Sequence, residues 1–352
     1  MKKVAIIGSV GIPAKYGGFE TLVEYLTKTL EGKYAITVYC SSKSYPERLS
    51  EHNGATLKYV PLKANGFQSI PYDLWSIAKA IRKHDTLLIL GVAGCFAIPF
   101  FKLFFKRKFI VHVDGTEWKR DKWGKLAKWY LKTSERLAAK RADFIIADNR
   151  VIKEYMDDTY GIESVMIPYG ADHVQKLELS TKNKKAYPFL QESYAFSVCR
   201  IEPENNIHLI LQCFHGIQET LVFVGNWQYS EYGKKLYEQY KDDANIHLLP
   251  PIYDQHVLNE IRSNCSRYVH GHSAGGTNPS LVEAMMLGLN VTAFDVGYNR
   301  ATTEEQATYF ASVEELLDLV ANSAGNNADA MKRVALEKYT WKAIYEKYEE
   351  LL

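Results

Sequence analysis

The alternation of short apolar runs with helical segments constrains this chain most. Val4–Ile7, Ala35–Cys40, Thr86–Leu90, Phe109–Val113 and Phe144–Ala147 are such runs in the first half. Tyr194–Cys199, Leu221–Val224, Ile246–Leu249 and Val291–Phe294 continue the pattern in the second. Runs this short and this continuously apolar predict strands buried on both faces. Between the first two, Phe19, Leu22, Val23, Leu26 and Leu30 recur at helical spacing. Sustained alternation of this kind predicts parallel sheets covered by helices on both sides, an α/β fold. A chain of 352 residues is long for a single core, so two such domains are expected. Ligands of these sheets bind beyond the carboxyl ends of the strands, which directs attention to the loops there.

Three of those loops carry phosphate-type chemistry. Tyr268 and Val269 end an apolar run, and His270 to Thr277 follow as a loop in which Gly271, Gly275 and Gly276 allow close backbone approach. Asn278 suits the N-cap, Pro279 the first helical position and Gly288 the C-terminal stop. A helix so placed aims its positive end out of the loop, an arrangement that favours an anion. Glu283 lies just inside it, placed to accept hydrogen bonds from hydroxyls; the plainer reading is a capped surface helix with a solvated glutamate. Near the N-terminus, Ser9 to Gly18 form a glycine loop between strand and helix, read either as a phosphate cradle or as a turn that needs Gly17-Gly18. A dinucleotide fingerprint is excluded: Gly8 and Gly11 are wrongly spaced, and the second strand ends in Ser41-Ser42 without an acid. Arg200 follows the run 194–199 and is suited to bidentate phosphate contact, or to pairing with Glu202 or Glu204.

Composition narrows the classes further. A formal charge of +2 gives no global field for nucleic acid, and no nucleic-acid motif accompanies the local basic stretches. Five scattered cysteines without a C-x-x-C imply a reducing cytosol and neither disulfides nor zinc; no metal-ligand cluster stands out. The chain begins directly with a strand, so no secretory signal is expected, and no apolar run is long enough to span a bilayer. Two basic-aromatic stretches, 96–109 and 118–141, suit an anionic membrane surface; a core helix with a solvated basic face is the alternative. His112 alternates with Val113 and fits a core histidine.

The quoted motifs also resemble a known family. The segment 268–288 resembles the donor signature of retaining nucleotide-sugar glycosyltransferases of family 4, which have the GT-B fold of two Rossmann-like parallel-sheet domains facing a central cleft. Pro279 and Glu283 match the signature, whereas its first glutamate is replaced by Gly275. Gly11 to Glu20, the run His112-Val-Asp-Gly-Thr-Glu-Trp-Lys-Arg120 and Arg200-Ile-Glu-Pro-Glu-Asn-Asn206 are similar to a bacterial rhamnosyltransferase-like subgroup of surface-polysaccharide synthesis. The resemblance implies an acceptor-side domain over 1–167, a nucleotide-sugar domain over 168–335 and a helix over 336–352 that packs back on the first. It implies Asp114, Arg200 and Glu283 as catalytic residues, with Glu117 beside Asp114 on the sugar and Glu283 on the ribose. Around the donor it places Lys15, Gly17, Gly18, Asn205, Asn226, Ile252, Gly276, Thr277, Asn278 and Ser280. Asn205 stands where most members carry lysine. The implied reaction needs no cofactor or metal. It moves rhamnose from dTDP-rhamnose to a lipid-linked glycan for capsule or surface polysaccharide, at the cytoplasmic face of the membrane. A GT-B nucleotide-sugar 2-epimerase and a non-catalytic nucleotide-sugar-binding subunit are the alternatives.

Overall fold

The computed structural model describes residues 1–15, 17–113, 115–120, 123–322 and 325–352. It divides into two compact units, Met1–Tyr169 with Trp341–Leu352, and Gly170–Thr340. The break expected at 335/336 falls inside the helix Ala328–Lys338, and the chain leaves the second unit only after Thr340.

In the first unit the strands are β1 (Lys3–Ile7), β2 (Ala35–Ser41), β3 (Glu51–His52), β4 (Ala55–Val60), β5 (Thr86–Leu90), β6 (Lys108–Val113), β7 (Phe144–Ala147) and β8 (Val165–Met166). Their order is β3-β4-β2-β1-β5-β6-β7-β8, parallel throughout except for the β3–β4 pair. In register, Val4 lies between Ile36 and Thr86. The order reverses at β1 and β5, so the loops after these two strands diverge to opposite faces and leave a crevice between them. Glycine is required at that point: a Cβ on Gly8, at φ +102°, would sit 2.0 Å from the Leu90 carbonyl oxygen. Helix Gly18–Leu30 buries Leu22, Val23, Leu26 and Leu30, the stripe anticipated from spacing. The terminal helix Trp341–Leu351 belongs to this unit; Trp341 stacks on Tyr25 at 4.6 Å and Tyr348 is fully buried.

The second unit contains β9 (Tyr194–Val198), β10 (Thr220–Val224), β11 (Ile246–Leu249), β12 (Arg267–His270), β13 (Val291–Phe294) and β14 (Thr308–Phe310). All neighbours are parallel, in the order β11-β10-β9-β12-β13-β14. This sheet reverses at β9 and β12. Both sheets are therefore doubly wound, as the alternation of apolar runs predicts.

Four strands escape a search for continuous apolar runs, among them the two residues of β8, Val165–Met166. In β4, buried Ala55 and Leu57 alternate with exposed Thr56 and Lys58 because this strand lies one from the sheet edge and keeps one face in water. The pair Glu51–His52 and the three residues Thr308–Phe310 are too short to show a period.

Gly8→Ala is expected to destabilise by on the order of 3 kcal/mol in urea unfolding, through the forbidden φ and the Leu90 clash together. Gly32→Ala, at φ +77° with nothing within 4 Å, serves as the control. It carries only the left-handed penalty of about 1 kcal/mol.

Candidate functional site

In the second unit, the loops after β9 and β12 lie side by side because those strands are paired. They are laced together. The Ser273 amide and hydroxyl donate to the Glu204 carbonyl at 2.9 and 2.8 Å. The Asn206 amide donates to the Gly271 carbonyl at 2.9 Å. Asn205 is buried, donates to the Arg200 carbonyl at 2.6 Å and accepts from His272 Nδ1. A Cβ on Gly271 would stand 2.2 Å from the Asn205 carbonyl oxygen, so the close approach anticipated at this glycine is to the neighbouring loop. Asn205, a candidate donor contact, uses its side chain to join the two loops.

Arg200 leaves the end of β9 with its side chain 44% exposed. Its pairs with Glu202 and Glu204 are loose, at 3.5 and 3.9 Å, longer than a charge-assisted hydrogen bond. The alternative of acidic pairing is thus present, in a form that leaves the guanidinium accessible.

Helix Pro279–Met286 follows with Asn278 as its N-cap. Asn278 Oδ1 accepts from the Ser280 amide at 3.0 Å and from its hydroxyl at 2.8 Å, and that hydroxyl also meets the Tyr268 hydroxyl at 3.0 Å. The Leu281 and Val282 amides donate to the Asn278 carbonyl at 3.1 and 3.2 Å. With proline at the first position, the first-turn donors of this helix are spent internally. An anion in front of it meets the helix dipole and the backbone ahead of the cap, not the first-turn amides. Gly276 and Thr277 are buried, while Asn278 and Ser280 are partly exposed. Gly288 ends the segment at φ +68°, donating its amide to the Met285 carbonyl.

Glu283 is not a solvated glutamate. Its two oxygens face Arg262 and His173 Nε2, the latter at 3.1 Å, and only 14% of its side chain is exposed. Arg262 is fully buried on helix Gln255–Ser263 and donates a second nitrogen to Asn259 at 2.7 Å. Burial pushes the Glu283 carboxyl up, but the Arg262 charge, seconded by His173, outweighs it and holds the group at about 2. Neither partner was anticipated. A signal existed, since an arginine four-residue-spaced with Leu258 on an amphipathic helix has to be buried or paired, but its partner lies 21 residues away. Asn226 is exposed after β10, with its carbonyl accepting from Tyr229, and Ile252 is half-buried against the core beneath β11.

The first unit presents its own loop after β1. Glu20 Oε1 accepts from the Val10 amide at 2.7 Å and Glu24 Oε2 from the Ala14 amide at 2.9 Å. Two carboxylates of helix Gly18–Leu30 thus take two amide donors of the glycine loop. Gly17 is favoured by its φ of +128°, a conformation other residues rarely adopt, and a Cβ there would also displace the Glu20 carboxylate. Gly18 starts the helix. Lys15, expected near a diphosphate, donates to the Ser44 carbonyl at 2.9 Å and lies over the Tyr45 ring at 4.6 Å. Asp114 lies outside the described residues. Glu117, its expected companion on the sugar, accepts from Trp123 Nε1 at 3.0 Å and pairs with Arg120 at 2.9 Å. His112 is buried in the core, sharing a hydrogen bond between Nδ1 and the Tyr348 hydroxyl at 2.6 Å; burial lowers it to about 3, and its Nε2 has no partner among the described residues.

Among the described residues no His, Cys, Asp and Glu group has metal-site geometry. No helix among them is long and apolar enough to cross a membrane.

Comparison with known proteins assigns the two halves separately. Residues 180–322 match the family Glycosyl transferases group 1. Residues 1–172 match a domain of unknown function, DUF1972. A relative described as an uncharacterized glycosyltransferase, MJ1069 of Methanocaldococcus jannaschii, is 23% identical across 100% of this chain and 98% of its own. Sucrose-phosphate synthase from Thermosynechococcus elongatus superposes with a TM-score of 0.80 at 15% identity, covering 100% of this chain and 98% of that one. Anabaena Alr3699/HepE, solved in complex with UDP, gives 0.76 at 14% identity over 99% of each chain. The same protein with UDP-glucose gives 0.74 at 13%, again over 99% of each. The fold is GT-B.

Replacing Glu283 by Gln leaves Arg262 buried without a counter-charge, and a loss of roughly 3–5 kcal/mol in urea unfolding near neutral pH is expected. Because the folded carboxyl sits at about 2 against an ordinary 4.5, its contribution is complete above 4.5 and lost as pH falls toward 2. The difference between wild type and Glu283→Gln should shrink across that acid window; a constant difference would contradict the assignment.

Proposed function

We propose that this GT-B chain, matching Glycosyl transferases group 1 over residues 180–322, is a glycosyltransferase that uses a nucleoside-diphosphate sugar. One observation carries the reading most. Within that match, Arg200 follows strand β9, and the capped helix 279–286 with Glu283 follows its paired neighbour β12, at the strand ends where a doubly wound sheet receives its ligand. UDP and UDP-glucose in the complexes of a GT-B neighbour support the same ligand class.

The chemistry follows from charge. Cleavage of the bond from sugar C1 to the β-phosphate leaves a diphosphate whose growing negative charge needs fixed positive partners. Arg200 exchanges its loose carboxylate pairs for the diphosphate, and the dipole of helix 279–286 adds to it. Glu283, ionised and clamped by Arg262 and His173, keeps acceptor capacity for the sugar hydroxyls of the nucleoside. The backbone near Ile252 faces the base edge and Asn226 the phosphates. In the first unit, Gly17, Gly18, Lys15 and Asp114 are assigned to the donor by motif resemblance. Asn205 acts through the loops it joins, without touching the donor.

At finer grain, the subgroup motifs support dTDP-rhamnose as donor, a lipid-linked glycan as acceptor, retention at C1 and a role in capsule or surface polysaccharide. This is a family 4, rhamnosyltransferase-like reading. A deoxyribose still offers its 3′-hydroxyl to Glu283.

A nucleotide-sugar panel in thermal shift tests the donor. dTDP-rhamnose is expected to raise Tm most, and turnover on a lipid-linked acceptor to release dTDP. Arg200→Ala should cut kcat by about 10²–10³ with the fold retained. Isomerised donor without acceptor would establish an epimerase. Binding without turnover on any such acceptor would establish a non-catalytic subunit.

A further inference from the structure

The first unit carries an apolar surface that no sheet or helix of that unit covers. On the seven-residue helix Ile98–Phe104, Phe100, Leu103 and Phe104 are 60%, 78% and 67% exposed. Their spacing places them on one helix face. Helix Lys125–Arg141 adds Leu126 and Trp129, at 78% and 61%. The two segments are joined where Phe96 stacks on Tyr130 at 5.5 Å. Scattered single apolar residues would need no explanation, but five large ones on two adjoining segments do.

The surroundings of this surface are cationic. Beside Phe105 a hollow of about 640 Å³ is lined by Lys102, Phe105, Lys106, Arg107, Lys108, Asp143 and Phe144. Lys102 pairs with Asp143 at 2.7 Å and Arg107 with Asp85 at 3.4 Å, while Lys108 donates to the Leu351 carbonyl at 2.9 Å. Lys106 is exposed and makes no pair among the described residues. Lys125 and Lys128 flank Leu126 and Trp129 on the second helix. Buried Phe109 and Trp123, and Lys132 over the Trp118 ring, belong to the protein's own packing and not to this surface.

We propose that this face docks on an anionic lipid bilayer. Phe100, Leu103, Phe104, Leu126 and Trp129 enter the headgroup boundary, and Lys106 in its basic hollow receives a lipid phosphate. The charge selects the occupant. A second copy of this chain would bring the same cations against themselves, whereas anionic headgroups complement them, and an amphipathic basic-aromatic surface too short to span lies in the interface. The docking is independent of the transfer reaction, but it explains how a lipid-linked acceptor would be reached if that reaction holds.

The test is co-sedimentation of the full chain, without donor or acceptor, with phosphatidylcholine vesicles containing or lacking phosphatidylglycerol, at low and high salt. Binding should need phosphatidylglycerol and weaken with salt. Lys106→Glu should weaken it at least fivefold, since each basic residue near such a surface is worth roughly that factor. The triple variant Phe100→Ser, Leu103→Ser, Phe104→Ser should abolish it with circular dichroism unchanged. Leu336→Ser, an exposed apolar site in the second unit, should leave it intact. No binding, equal binding to neutral vesicles, or binding that survives the triple variant would overturn the proposal. So would a dimer in sedimentation velocity that the triple variant dissociates. None of these outcomes bears on donor binding, which the nucleotide panel reads separately.

Discussion

A guanidinium that cannot lose its proton fixes the second unit's site. Arg262 is fully buried, and an arginine in that position stays charged, so the fold must bring an anion to it. Glu283 is that anion. Meeting it locks helix 279–286 to helix 255–263, and His173 adds the chain segment that enters the unit. The same contact keeps Glu283 ionised in a setting where burial alone would neutralise it. A carboxylate held charged and in one place is a useful acceptor of hydroxyls. The pair is therefore a structural necessity that also prepares a site.

The neighbouring loops use neutral groups for a related end. Asn205, Asn206, His272 and Ser273 spend their side chains on the opposite loop's backbone or on each other. That leaves Arg200 as the exposed charge at the strand ends, with only loose partners. A lysine at position 205 would add charge, but it would give up the amide that joins the loops. The replacement trades charge for a fixed geometry.

The first unit shows the opposite balance. Its glycine loop looks from sequence like an anion cradle, yet two glutamates of the following helix already occupy loop amides. Glu20 sits three residues after the N-cap glycine, where a capping-box glutamate would stand, but glycine has no side chain to complete such a box. What the spacing did not say is that the carboxylate reaches past the cap to Val10. Such donors are local in space but depend on how the loop folds back.

The doubly wound sheets follow from the sequence alone, because strands buried on both faces are mostly apolar along their length, a polar residue such as His112 or Thr292 being the exception, and such runs are conspicuous. The helix after Asn278 was equally legible, from a cap, a proline and a terminal glycine that act within a few residues. Strand β4, which alternates, needed the sheet to explain it. The pairing of Glu117 with Arg120, three residues on, is one its spacing already offers, whereas the partners of Glu283, Asn205 and Lys15 were decided only in three dimensions. Each is a polar side chain with several possible companions, and its choice depends on which helices and loops the sheet order sets side by side. Local rules specify where elements begin and end, whereas long-range pairing of buried charge depends on the finished packing.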